Sequence, residues 1–243
     1  MMALIRMAGF HLREFARVGF FATLLVTSTI SVLALQALGS RATPDPAGDG
    51  DIWLRSAQVG MWTTCTVAAG FLGFQRFQGT LVHLLFTPRR PAATLLPMIA
   101  DGSLFGLLAF PLAACLAALL GLPIDAASPA AIALGIPALW LACLSLCTII
   151  SPLFVLTPNA IAYERLLAAP IVLLSGVFGY PNDTLAYIGW LLPTAHGIAV
   201  LNGGGLWHLA AGLTLSGLFA ALGCLLLRRA DDKATRAGSL EII

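Results

Sequence analysis

The sequence predicts an all-α integral membrane protein with six transmembrane helices, and three observations carry that expectation. Hydrophobic residues make up 59% of the 243 and charged residues 10%, with a mean hydropathy of +0.92. Soluble domains carry about 25% charge, and a soluble fold of this size could not hide so much apolar surface. Secondly, a span needs ~20 apolar residues. Apolar runs cover Val18–Leu38, Ser56–Phe74, Pro91–Leu122, Pro129–Leu156 and Trp207–Leu227, and Leu166–Tyr180 continues into a stretch broken by Gly and Pro. Thirdly, the basic residues alternate with the runs. Arg6, Arg13 and Arg17 precede the first; Arg76, Arg89 and Arg90 separate the second and third. Arg165 separates the fourth and fifth, and Arg228, Arg229, Lys233 and Arg236 follow the sixth. These eleven of the 13 basic residues fall on one side, leaving Arg41 and Arg55 on the other beside Asp45, Asp49 and Asp51. By the positive-inside rule both termini are cytoplasmic.

Residues 1–17 are expected to form an amphipathic elbow helix lying in the cytoplasmic interface. At 100° per residue, Arg6, Arg13 and Arg17 share one narrow sector. Leu4, Ile5, Ala8, Leu12 and Phe15 take the opposite side, and Phe10 breaks the pattern. A basic face against an apolar one suits anionic head groups above acyl chains. The small residues of SVLALQALGS (31–40) invite a signal-peptide reading, but the run is of full spanning length, so it is read as a retained first span. Residues 18–228 form the six-span domain. Residues 229–243 form a short cytoplasmic tail of mixed charge, expected to be partly disordered.

Between the second and third runs lies GFQRFQGTLVHLLFTPRRPA (73–92), too short to span. Its apolar residues cluster in LVHLL, with Gly79 before them and Thr87-Pro88 after, which fits a two-turn cytoplasmic helix at about 75–88. From its residues alone the segment either docks in a groove of a soluble partner or packs on its own protein or on lipid.

Before the sixth run, Gly176, Gly179, Pro181, Gly189 and Pro193 break regular helix. A chain that leaves the fifth run outward and enters the sixth inward cannot cross in between. Residues of about 176–205 must therefore dip into the membrane and return, as a re-entrant outer hairpin covered by protein or a water-lined cavity. Tyr180, Tyr187 and Trp190 suit the outer interface. No internal repeat appears at a period of 20 to 50 residues, so an inverted-repeat transporter gets no support.

Two stretches resemble the ABC-2 type permeases, the membrane subunits of a large class of ATP-binding-cassette exporters. QRFQGTLVHLLFTPRRPAATLL is similar to that family's pattern R-x-x-G-T-L-E-x-L-L-x-T-P after the second span. Arg76, Gly79, Thr80, Leu81, Leu84, Leu85, Thr87 and Pro88 match, while Val82 stands where the family usually has Glu and Gln78 where a charged residue is common. LLSGVFGYPNDTLAYIGWLLPTAHGIAVLNGG (173–204) resembles the family's L-S-G-V-F-x-P segment and its Leu-Pro-Thr-His run. Ser175, Gly176, Val177, Phe178, Pro181, Leu192, Pro193, Thr194 and His196 match. With the elbow helix and six spans, the resemblance covers essentially the whole chain.

That resemblance implies a coupling helix at 75–88 that contacts the ATPase subunit, and an outer gate at Ser175, Gly176, Phe178, Pro181, Pro193 and His196. It implies two copies of an ATP-binding subunit, a second permease (identical or different) and a bacterial cytoplasmic, or inner, membrane as the setting. ATP and Mg would be bound by the partner: the pattern G-x-x-x-x-G-K-[ST] is absent, and the only lysine is Lys233 in the polar tail. The sparse charge of the spans fits a drug, antibiotic, natural product or lipid-like cargo, although the family also exports polysaccharides. The alternative is an ATP-independent polytopic protein, such as a membrane-embedded enzyme, in which the 75–88 segment is only a loop.

Few residues suggest chemistry on this chain. Asp101 is the one carboxylate deep in an apolar run, so it either lines the pathway or is a hydrogen-bonded structural group. Gly102 and Gly106 form a weak G-x-x-x-G packing signal. Glu164 and Arg165 read as an interfacial pair or a second ATPase contact. Cys65, Cys115, Cys143, Cys147 and Cys224 all fall in apolar runs and are expected to pack as small hydrophobes. His11, His83, His196 and His208 have no metal-ligand spacing, and Ser175 lacks a His/Asp arrangement for nucleophilic catalysis. Neither a catalytic residue nor nucleic-acid binding is expected. The acceptor pattern Asn-Asp-Thr at 182–184 is read as chance.

Overall fold

The computed structural model describes residues 17, 19–42, 49–77, 79–80, 83, 91–124, 128–157, 166 and 169–236. Among them all regular structure is helical. In chain order the helices are α1 (Gly19–Ala42), α2 (Ile52–Phe77, after a 3-10 turn at Asp49–Asp51), α3 (Pro91–Gly106), α4 (Ala109–Leu119) and α5 (Pro129–Leu156). Then follow α6 (Asp183–Gly189), α7 (Pro193–Leu201) and α8 (Leu206–Arg236). Four stretches are long and apolar enough to cross a membrane: Gly19–Ala42, Thr94–Leu119, Pro129–Leu156 and Leu206–Lys233. Counting the bent pair α6–α7 as one span raises the number to five. By length and composition this is an all-helical, multi-pass membrane protein.

The middle of the bundle is α2, which packs on α1, α3, α4 and α5. Ala57, Met61, Cys65, Ala69 and Leu72, spaced at three and four, are all fully buried. The helix is 26 residues long, but its Ser and Thr residues dilute its apolar character. Their hydroxyls turn back on the preceding turn: Ser56 donates to the Ile52 carbonyl at 2.7 Å, Thr63 to Val59 at 2.8 Å and Thr64 to Gly60 at 2.9 Å. Hydroxyls satisfied within their own helix are cheap to bury. A polar-looking helix can therefore fill the centre.

The third expected span, Pro91–Leu122, is a single run in sequence but breaks between α3 and α4. Pro111 explains the place, because proline has no N–H to give to the carbonyl four residues back, here Leu107, and its ring crowds that carbonyl. Tighter bonds fill the gap, with Leu107 donating to Leu104 at 3.1 Å and Phe110 to Leu107 at 3.2 Å. By contrast α5 has the bounds of the fourth run. Ser128 caps it by accepting from the Ala131 amide at 3.2 Å, and Pro129 occupies the first turn. Prolines 137 and 152 do not divide it.

Small residues set the helix crossings. A side chain at Gly223 of α8 would meet the Thr148 backbone of α5 at 2.7 Å, and one at Gly197 of α7 would meet Cα of Leu139 at 2.8 Å. Close approach through glycine is the usual packing device where lipid removes the hydrophobic drive between helices. Gly106 does the same against the Met61 carbonyl of α2, at 3.1 Å, which gives the glycine pair of α3 a packing role at that position. Outward faces are apolar and exposed, as at Leu35 and Leu38 of α1 and Leu218 and Leu222 of α8.

The last helix runs on to Arg236, past the expected end at Leu227. RRADDKATR contains no Gly or Pro, its Arg228, Asp232 and Arg236 recur every fourth residue, and late basic residues favour a helix C-terminus. Of the minority basic residues, Arg55 lies 4.0 Å from Asp51 one turn earlier, a pairing worth about 0–1 kcal/mol at an exposed site. The elbow helix at 1–17 lies outside the described residues apart from Arg17, as does the Glu164–Arg165 pair. Of the fifth run, residues 169–174 are helical and 175–178 form a turn.

Candidate functional site

The expected hairpin region is built from the turn at 175–178 and the two short helices α6 and α7, which meet at 105°. Gly176 has φ +76°, and a side chain there would strike the Tyr180 ring at 2.7 Å. The ring lies across the turn, and its hydroxyl donates to the Leu174 carbonyl at 3.0 Å. Asn182 then starts α6, its side chain accepting from the Leu185 amide at 2.9 Å. That gives Asn182 a capping role. Pro193 opens α7, where its missing N–H costs nothing.

The six expected gate residues differ in exposure. Ser175, Pro193 and His196 are buried, Gly176 is half-buried, and Phe178 and Pro181 are exposed. Ser175 donates to the Val172 carbonyl at 2.6 Å, a local helix-end bond.

What Ser175 does share is a pocket. Gln58, Val59 and Trp62 of α2, Leu139 and Cys143 of α5, Ile171, Val172, Ser175 and Val177, and Thr194 and Ile198 of α7 line one concavity. Gln58 and Thr194 are each 3% exposed. Both amide atoms of Gln58 and the hydroxyl of Thr194 have no hydrogen-bond partner among the described residues. Gln58 had no signal in the sequence beyond being one polar residue in an apolar run, and Thr194 carried only its motif match.

His196 joins α7 to α8. Its Nε2 lies 2.9 Å from the Trp190 carbonyl and its Nδ1 lies 3.2 Å from Nδ1 of His208. Trp190 stacks edge-on to His208 with ring centroids 6.0 Å apart, and Tyr187 flanks Trp190 at 6.4 Å. Tyr187 and Trp190 are exposed, an amphipathic pair of the kind that sits at a membrane–water boundary. Among the described residues no group of three or more His, Cys, Asp or Glu could hold a metal.

Asp101 is fully buried in α3, and neither carboxylate oxygen has a hydrogen-bond partner among the described residues. Ser103 does not serve it, since that hydroxyl donates to the Ala100 carbonyl at 2.7 Å and accepts from the Trp140 indole at 2.9 Å. Asp101 is not part of the pocket lining. Cys65, Cys143 and Cys147 are buried as expected, Cys224 is half-buried and Cys115 is exposed.

At the other end of α2 the chain stops in an ordered way. Gly79 has φ +72°, and the Thr80 amide donates to the Gln75 carbonyl at 3.0 Å. This is the Schellman arrangement, in which a left-handed residue after the helix lets the next amide reach the last turn. The Thr80 hydroxyl bonds the Gln75 side-chain oxygen as well. Gly79 and Thr80 thus close α2, and the His83 amide donates back to the Thr80 carbonyl at 3.1 Å. The side chain of Arg76 and residues Leu81, Leu84, Leu85, Thr87 and Pro88 lie outside the described part. No family model, curated protein or solved structure matches this chain.

Proposed function

We propose that this chain is the membrane-spanning permease subunit of an ATP-driven exporter of the ABC-2 type. It crosses a bacterial cytoplasmic membrane six times with both termini inside, and it pairs with a second permease, identical or different. Two copies of a separate ATP-binding subunit hydrolyse the ATP and dock on the segment at 75–88. The cargo moves outward and is amphipathic or hydrophobic. The observation that carries this reading is the bent pair α6–α7, two short helices immediately before the last long one, in the stretch whose sequence resembles that family's. The glycine stop after α2, which separates the GTLVHLLFTP segment from the central helix, supports it further.

In this reading, closure of the ATP-binding subunits pushes on the 75–88 segment, and the central helix passes that displacement to the helices packed on it. The hairpin at 176–205 covers the outer end of the pathway. The test is affinity purification of the tagged chain from its native membrane. The expected companion is an ATP-binding-cassette ATPase whose turnover the cargo stimulates, and Leu84→Asp should release that companion while leaving insertion intact. Recovery of the chain without such an ATPase, or an undiminished stimulated complex with Leu84→Asp, rejects the proposal.

A further inference from the structure

The last helix carries one outward stripe that changes chemistry without changing direction. At 100° per residue, Trp207, Leu218, Leu222, Leu225, Arg229 and Lys233 fall within one sector of about 80° on α8, and all six are exposed. Gly223, Leu227 and Ala230 take the opposite side and are buried, so α8 stays packed on the bundle at the level of its charges. From Trp207 to Leu227 the helix rises about 30 Å, the ~30 Å thickness of a bilayer's hydrocarbon layer. Trp207, an exposed indole, suits one boundary, and the step from Leu227 to Arg228 marks the other. We infer that the basic end of this stripe binds the head group of an anionic phospholipid.

Depth and charge select that partner. Head groups occupy roughly 5–7 Å on each side of the hydrocarbon. Arg228 and Arg229 fall inside that layer. Lys233, about 9 Å past Leu227, stands at its aqueous edge, and its flexible stem lets the ammonium reach back. A lipid whose chains lie on Leu222 and Leu225 therefore holds its phosphate beside Arg229. A guanidinium fork donates two parallel bonds to phosphate oxygens, and the lysine one turn on adds a point charge. Arg228, Arg229 and Lys233 are exposed with Asp232 as the exposed carboxylate among them, while Asp231 is half-buried. Cations thus outnumber the exposed carboxylate. A zwitterionic lipid brings its own ammonium to this surface and is disfavoured by it. A soluble phosphate ester shares the anionic chemistry but has no chains to lie on the leucines.

The surface belongs to this chain alone and does not rest on an ATPase partner, so it is tested on the purified full-length protein in a neutral detergent. Native mass spectrometry counts bound dioctanoyl phosphatidylglycerol against dioctanoyl phosphatidylcholine, which has the same chains, and against glycerol 3-phosphate. The expected result is about fivefold tighter binding of phosphatidylglycerol than of phosphatidylcholine, with glycerol 3-phosphate weaker than either. That preference should vanish in the double variant Arg229→Gln, Lys233→Gln and persist in Arg41→Gln, which removes an exposed cation outside the stripe. If the double variant fails to fold, Lys233→Gln alone decides, since it lies beyond the apolar segment, and it should at least halve the preference. Equal binding of the two lipids, or a preference that survives the loss of these charges, overturns the inference. Glycerol 3-phosphate binding as tightly as phosphatidylglycerol overturns it too, because the site then recognises a free phosphate ester and not a lipid.

Discussion

His196 and His208 meet Nδ1 to Nδ1 across 3.2 Å, and this contact ties α7 to the last helix. The geometry fixes the protons. A carbonyl can only accept, so the bond to Trp190 places a proton on Nε2 of His196. A neutral His196 then offers a lone pair at Nδ1, and His208 donates to it. His208→Leu should leave that lone pair without its donor, at a cost of roughly 1–3 kcal/mol for an unsatisfied buried group. His196→Leu should cost more, because the Trp190 carbonyl loses its partner as well. Thermal unfolding of the two variants in detergent gives the order, and equal stability of both with the parent protein would show that the pair is idle.

Gly197 is predicted to reject any side chain. A Cβ there would sit 2.8 Å from Cα of Leu139, and backbone cannot move aside as a flexible side chain does. Gly197→Val should therefore destabilise by about 1–3 kcal/mol, the usual cost of overpacking. Gly205→Ala is the control, since nothing lies within 4 Å of its added carbon. Loss of the folded fraction on heating compares them, and similar behaviour of the two would contradict the close α5–α7 crossing.

For Asp101 the expectation is a trade. A carboxylate with no hydrogen-bond partner among the described residues is costly to hold in a packed core, so removing its charge is expected to be neutral or stabilising. Asp101→Leu and Asp101→Asn should thus match or exceed the parent in thermal stability and, if the chain is the exporter subunit proposed above, slow its transport, as functional groups held at a cost to the fold tend to do. A less stable Asp101→Leu with normal transport by Asp101→Asn would assign the carboxylate a structural partner instead.

The hairpin reading is checked by labelling. Asp183 in the first turn of α6 and Asn202 after α7 are both exposed. Single cysteines at these positions, with the five native ones replaced, should both react with an impermeant thiol reagent applied from outside the cell. Reaction of either one only from the cytoplasmic face would end the six-span arrangement.

How far the sequence reached differs from element to element. The fourth run and α5 coincide because apolar length, Ser128 and Pro129 all mark the same boundary. The third run was legible as apolar length but not as a broken rod, since a count of apolar residues is blind to the hydrogen bond that Pro111 removes. The final helix outran its apolar segment because helix propensity continues where hydropathy stops. At the site, the breakers at Gly176 and Pro193 announced irregular backbone, but the surroundings of Gln58 and the partners of His196 were hidden. Gln58 meets Thr194 in one pocket only because α7 folds back against α5. His196 and His208 are 12 residues apart, a separation that no single helix brings together, and the turn at 202–205 does so.

One consequence of the central position of α2 concerns phase. No proline interrupts this helix from Ile52 to Phe77, so Gln58 at the pocket and Gln75 at the glycine stop share one axis, about 25 Å apart at 1.5 Å per residue. Their bearings around that axis are locked together. Inserting a single residue between them would turn one end by about 100° relative to the other, swinging either the amide out of the pocket or the Gly79 exit away from its present heading. The length of α2 is thus a setting as well as a span, and two insertions of one residue would not do the work of one deletion.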